Sequence, residues 1–184
     1  MTHQIGDDAY SKYKDYPKWP YEAITYLMNN NELIWKLIKY TDADAWEKPN
    51  LTLDQKRALV YNGKGDMTNF RVFMDKGQSS VFTQEISYIK ISNYELKPIT
   101  RTTGKIAIMM EVYCHYMTNQ LSNYTSRYDA IAGQFMEVFN GANLGLGLGR
   151  LFFDWAGDSS DILKDSGSIP FKGKFVIFSN NIGG

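Results

Sequence analysis

Between Lys105 and Met117 the chain alternates: Ile106, Ile108, Met110, Val112 and Cys114 take one parity, while Glu111, Tyr113 and His115 take the other. A period of two sustained this long fits a β-strand and no helix. This segment is the expected central strand. Everything else has to be arranged around a sheet built on it.

The flanking segments divide by period. From Tyr21 to Tyr40, Ile24, Leu27, Met28, Ile34, Leu37 and Ile38 recur at helical spacing, interrupted by Asn29-Asn30-Asn31, which predicts two helices or one kinked helix. Asp42, Asp44 and Pro49 close that element, and Thr52 is placed to cap a shorter helix, Leu53 to Tyr61, ended by Asn62-Gly63. The pattern then changes. Asn69 to Met74 reads as a strand followed by the turn Asp75-Lys-Gly77, and Glu85 to Tyr94 as a second strand ended by Pro98, with Ile86, Tyr88 and Tyr94 opposite in parity to Ile89 and Ile91.

After a polar loop, Thr118 to Tyr124, a helix is expected with Thr125 or Ser126 as its cap and Asp129 in its first turn, where a carboxylate complements the positive end of the helix. Tyr128, Ile131, Phe135, Val138 and Phe139 form its apolar stripe. It stops at Asn140-Gly141. A glycine-leucine run, Asn143 to Gly149, leads into a strand from Arg150 to Trp155; a loop, Gly157 to Ser168, and a last strand, Lys172 to Phe178, complete the chain. The order predicts an α+β fold: a mostly antiparallel sheet of about five strands, helices on one face, and an N-terminal helical section. The expected division is a flexible arm at 1–20 and one domain at 21–184, with helices at 21–61 and the sheet at 65–180.

Composition narrows the function. Lys and Arg number 20, as do Asp and Glu, so no net field draws in nucleic acid or an anionic membrane. No apolar stretch approaches the roughly 20 residues that span a bilayer, and the first thirty residues lack a signal-peptide core. The lone Cys114 cannot form an intrachain disulfide, and its apolar setting reads as a buried small side chain, as expected of a protein kept in a reducing cytoplasm. Aromatic residues make up 15%, more than a core of this size requires, which favours an assembly subunit over a small enzyme.

Catalytic patterns are weak. Gly145-x-Gly147-x-Gly149 follows a helix and enters a strand, the reverse of a phosphate-binding turn, and no Gly-Lys-Ser/Thr follows. His3 and His115 are the only histidines, and His115 points away from its neighbour Cys114 on a strand, so neither a metal site nor a Cys/His pair is expected. Asp42, Asp44 and Glu47, and again Asp154, Asp158, Asp161 and Asp165, read as solvated or capping carboxylates; Arg101, Lys105, Lys172 and Lys174 are too dispersed for sequence-specific DNA binding. No cofactor, metal or catalytic residue is assigned.

The segment Arg127-Tyr-Asp-Ala-Ile131, opening a helix that ends Phe139-Asn-Gly141 and is followed by the glycine-leucine element and a strand, resembles tailed-phage neck proteins, the tail-terminator, tail-completion and head-closure families. The alternating strand ending Val112-Tyr-Cys-His115 is similar to their pattern, and the resemblance covers residues 65–180. It implies a structural virion protein without catalysis: a homo-oligomeric ring of six or twelve copies between portal and tail, touching the portal or an adjacent neck ring and tail proteins, with DNA passing through its lumen. Such a ring sits in the virion neck after assembly in the host cytoplasm. The long helical section at 21–61 departs from the shorter members and leaves both a connector ring and a tail terminator open. A monomeric protein-binding module and a hydrolase with its site in the carboxylate loops are the rival readings.

Two elements are the expected assembly contacts. One is the segment Tyr10, Tyr13, Tyr16 and Trp19, read either as a frayed terminus or as an arm that orders on a neighbour. The other is the glycine run with Leu144, Gly145, Leu146, Gly147 and Leu148. Deleting residues 1–20, or placing valine at Gly145 and Gly147, is expected to block assembly and spare the fold.

Overall fold

A computed structural model of the chain describes residues 15–74, 84–99, 104–145, 149–158 and 171–182. The helices are α1 (Trp19–Asn30), α2 (Leu33–Lys39), α3 (Leu53–Ala58) and α4 (Arg127–Phe139). The strands are β1 (Val72–Phe73), β2 (Ser87–Pro98), β3 (Gly104–His115), β4 (Phe152–Asp158) and β5 (Phe171–Ile182), in the spatial order β1-β2-β3-β5-β4. All neighbours are antiparallel except β1 and β2, where Val72 lies beside Ile89 in parallel. The result is the α+β architecture that the patterning predicts, with β3 at its centre.

The alternation of β3 sorts the two faces. Ile106, Ile108, Met110, Val112 and Cys114 join Ile89 and Ile91 of β2 and Val176 and Phe178 of β5 beneath Trp19, Ile24, Leu27, Trp35, Ile38, Ile131, Phe135 and Phe139 of the helices. Burying this many large apolar side chains, at roughly 1.5–3 kcal/mol each, is the main force holding helices to sheet. The opposite face carries a smaller cluster, Ala107, Met109 and Ile177 with Phe175, and an aromatic group of Phe73, Tyr88, Tyr113 and Phe171.

The helical section divides at Asn31, whose extended backbone ends α1 while its side chain accepts the Ile34 N–H at 2.7 Å and donates to Gln134 of α4 at 2.7 Å. One residue thus separates two helices and ties the break to a third. Thr52 and Gln55 form a reciprocal capping box at the start of α3. Lys56 of α3 is buried and donates to the Met28 carbonyl at 2.8 Å and to Glu32 at 2.5 Å, which fixes α3 against the end of α1.

Several boundaries differ from expectation, and each difference has a tertiary cause. Helix α3 stops at Ala58, not Tyr61, because Leu59 and Tyr61 turn to pair with the β1 region through Arg71 N–H to Leu59 O and Tyr61 N–H to Val72 O. The strand expected over 69–74 shrinks to two residues because Met67–Asn69 forms a 3₁₀ turn capped by Asp66. Strand β5 runs on to Ile182, since Asn180 and Asn181 pair through their backbones with Ile106 and Lys105 whatever their side chains prefer. Tyr94 falls at a bulge in β2 and is exposed.

The expected arm also ends early. Tyr16–Lys18 is a 3₁₀ turn running straight into α1, and Trp19, with no exposed surface, belongs to the main core. Tyr16 packs edge-to-face on Trp19 with ring centres 5.0 Å apart, and its carbonyl accepts from Asn93 at 2.9 Å. Removing residues 1–20 would therefore take a tryptophan out of the core, and that deletion reports on folding rather than on assembly.

Candidate functional site

The strand that follows the glycine run is the least covered apolar element of the described chain. Strand β4 lies at the sheet edge, and its sequence Phe-Phe-Asp-Trp-Ala-Gly-Asp leaves Phe152 55%, Phe153 43% and Trp155 48% exposed. A bulge between Phe153 and Trp155 breaks the side-chain alternation. Phe153 leans on Phe178 of the helix-covered face, whereas Trp155 packs edge-to-face on Phe175 of the other, 4.7 Å between ring centres. Edge strands carry unpaired backbone groups, and an exposed aromatic edge recruits a partner unless it is blocked.

The beginning of β4 is blocked. Helix α4 starts at the Ser126 cap, ends at Phe139, and turns through Gly141 at φ +82°. Gly141 N–H then donates to Leu151 O at 2.7 Å and Leu151 N–H to Ala142 O at 2.8 Å, while the Asn140 side chain accepts from Phe153 N–H at 3.1 Å. From Asp154 to Asp158 no such cover is seen among the described residues.

The glycine run is pinned at both ends. Asn143 bridges Arg150 across its base, Leu144 packs against the main core, and Gly145, at φ +80°, donates its N–H to Asn143 Oδ1 at 2.9 Å. Leu146, Gly147 and Leu148 lie outside the described residues. Valine at Gly145 would strain the loop's own backbone, so that substitution also reads on local folding before it reads on assembly. Gly149 combines φ +73° with a close neighbour: a Cβ there would lie 2.7 Å from Asn180 Nδ2. Gly149→Ala is expected to cost about 1–3 kcal/mol through backbone strain and displacement of Asn180, measurable as a lower urea midpoint with an unchanged slope.

One buried charge ties the start of α4 to the end of α2. Arg127 has no exposed surface, and its guanidinium donates to five main-chain carbonyls: Thr118 at 2.7 Å, Leu37 at 2.7 Å, Tyr40 at 2.6 Å, Thr41 at 3.1 Å and Asp42 at 2.6 Å. Burial pulls its pKa below the ordinary arginine value. The carbonyls it collects include those at the C-terminal end of α2, where a cation offsets the negative end of the helix. Two residues on, Asp129 bonds Lys174 of β5; partial burial opposes its ionisation, but the bonds from Lys174 and Ser126 outweigh this and hold its carboxyl below the usual range.

Several of the other groups singled out in the sequence have defined partners. Asp42 and Asp44 pair with Lys48, and Asp154 pairs with Lys105 at 2.8 Å, which lowers the Asp154 carboxyl. Burial pushes the Cys114 thiol up to about 12, so the thiolate nucleophile is not formed near neutrality. His115 lies on the other face, accepting Met117 N–H at Nδ1 and packed between Tyr116 and Phe171. Among the described residues no group of three or more His, Cys, Asp or Glu could hold a metal ion, and no helix is long and apolar enough to cross a membrane. His3, Arg101, Asp161 and Asp165 lie outside the described residues, as do Tyr10 and Tyr13.

Of the expected contacts, then, Trp19 is internal, Tyr16 and Leu144 are half-buried against the core, and Gly145 holds a turn. Phe152, Phe153 and Trp155 escape sequence reading because an apolar run before a loop looks like a core strand. Their one legible signal is Asp154, set between Phe153 and Trp155.

A protein-family model described as YomW matches residues 31–167, from the start of the α2 region to beyond β4. Its name is a phage-derived one. No curated protein matches the chain.

Proposed function

The chain belongs to the YomW family, and we propose that it is a structural virion protein of a tailed bacteriophage, a ring subunit of the neck between portal and tail. The observation that carries this reading is β4: an exposed aromatic strand, held in place by a sheet and a capped helix, suits a permanent partner far better than it suits solvent. The ring is the proposed homo-oligomer, of six or twelve copies. Its β4 edge and glycine run meet the adjacent ring, the portal or the first tail proteins, while the equal numbers of acidic and basic side chains let DNA pass through without being gripped. The role is mechanical, with no catalysis and no cofactor, and is played in the virion after assembly in the host cytoplasm.

The test is made on particles. Purified virions of a phage encoding this chain should contain it in a fixed ratio to the portal, and a nonsense mutation in its gene should yield filled heads that carry no tail. Virions that lack the chain, or a mutant that builds complete particles, would refute the assignment.

A further inference from the structure

We propose that Asn62 is a site of spontaneous covalent modification, its side-chain amide lost to water through a cyclic imide formed with Gly63, while the same dipeptide at Asn140-Gly141 is held back by the fold. The chain carries Asn-Gly at these two places. An asparagine before glycine is especially reactive, because glycine has no side chain to keep its backbone nitrogen away from the amide carbon of the preceding residue. Both asparagines are exposed, so access to water does not separate them. Their hydrogen bonds do.

Asn62 lies in the segment between α3 and β1. Its Oδ1 accepts the Lys64 N–H at 3.0 Å, a bond that folds the side chain back over Gly63. The Gly63 N–H has no hydrogen-bond partner among the described residues, and at φ +84° nothing stands within 4 Å of where a Cβ would be. A nitrogen held by neither ladder nor neighbour moves at little cost. At Asn140 the opposite holds. Its Oδ1 accepts the Phe153 N–H at 3.1 Å, and the Gly141 N–H is committed to Leu151 O at 2.7 Å. Both bonds have to open before the Gly141 nitrogen can reach the amide carbon, which should slow the reaction there by about tenfold or more.

The step itself needs only water and a base from solvent. The Gly63 nitrogen gives up its proton and attacks Asn62 Cγ, and the negative charge that develops on Oδ1 falls where the Lys64 N–H already points, the arrangement by which an aimed backbone donor stabilises an oxyanion. The bond from Cγ to the side-chain nitrogen breaks, and that nitrogen takes up a proton and leaves as ammonia. Water then adds to one or other carbonyl of the five-membered imide. One opening gives an aspartyl residue; the other gives an isoaspartyl residue, whose main chain is a methylene longer. Nothing is oxidised or reduced. Either product puts a carboxylate next to Tyr61, whose ring packs on Phe70 and Phe73, and leaves the chain with one acidic group in excess of its basic ones.

The full chain, incubated in mildly alkaline buffer made with heavy-oxygen water and followed by peptide mass spectrometry, tests this. Asn62 should convert with uptake of one heavy oxygen atom, yield both aspartyl and isoaspartyl forms, and outpace Asn140 by at least about tenfold. In urea the two sites should react at similar rates, since the bonds that distinguish them are gone. A rate at Asn140 equal to or above that at Asn62 in the folded chain overturns the inference. So does a gap as wide in urea as in buffer, conversion at Asn62 without an isoaspartyl form, or an Asn62 that stays intact in the folded chain while the unfolded chain reacts.

Discussion

Arg127→Ala should remove a large share of the chain's stability. The substitution strips five carbonyls of their donor at once, two of them buried (Leu37 and Thr118) and three partly buried (Tyr40, Thr41 and Asp42). An unsatisfied buried acceptor costs about 1–3 kcal/mol, and even with partial hydration of the cavity the sum reaches about 4 kcal/mol or more. Domains of this size are stable by only about 5–15 kcal/mol. Arg127→Lys should recover part of the loss, since an ammonium offers three donors from a single point and cannot span carbonyls that a planar fork reaches together. Urea denaturation followed by far-ultraviolet circular dichroism checks both. A midpoint for Arg127→Ala within experimental error of the parent would mean that the carbonyl cluster is not held by this side chain.

The double substitution Phe152→Lys, Trp155→Lys should have the opposite character, a folded chain that no longer builds particles. Both side chains are about half exposed, and the fold gives up chiefly the edge-to-face packing of Trp155 on Phe175, at a cost of about 1 kcal/mol. At a partner surface, two lysines in place of two aromatic anchors remove apolar contact and bury charge, and truncating anchors of this kind costs upwards of about 2 kcal/mol each. Supplied from a plasmid to a phage lacking the gene, the variant should restore fewer than about one in a hundred of the infectious particles that the parent restores. Restoration at the parental level would mean that β4 does not carry the proposed contact.

How much of this is legible in the sequence depends on the range of the interaction concerned. The β3 alternation, the Thr52–Gln55 box, the cap of α4 and its stop at Asn140-Gly141 are local patterns, and all can be read within a few residues. Asn31 visibly interrupts helical spacing, though nothing nearby says that its side chain will cap α2 and reach Gln134. The edge position of β4 is invisible because it follows from β5 entering the sheet between β3 and β4, a fact about strand order. Arg127 stands out only as part of a motif, since four of its five acceptors come from a distant stretch of main chain, Leu37 to Asp42, with no side-chain signature. Tyr124 reads as an ordinary loop residue; nothing in Asn123-Tyr124-Thr125 announces its positive φ of 64°.

The place of β5 also sets the order in which the parts of this protein come into being. Strand β4 pairs with β5 and with no other described strand, and β5 is made after every other described strand. A nascent chain that has already built its helices and the β1-β2-β3 half-sheet still has nowhere to lay Phe152, Phe153 and Trp155. The exposed aromatic edge is thus displayed only by a chain whose translation has passed Ile182, so a chain terminated before β5 lacks that surface.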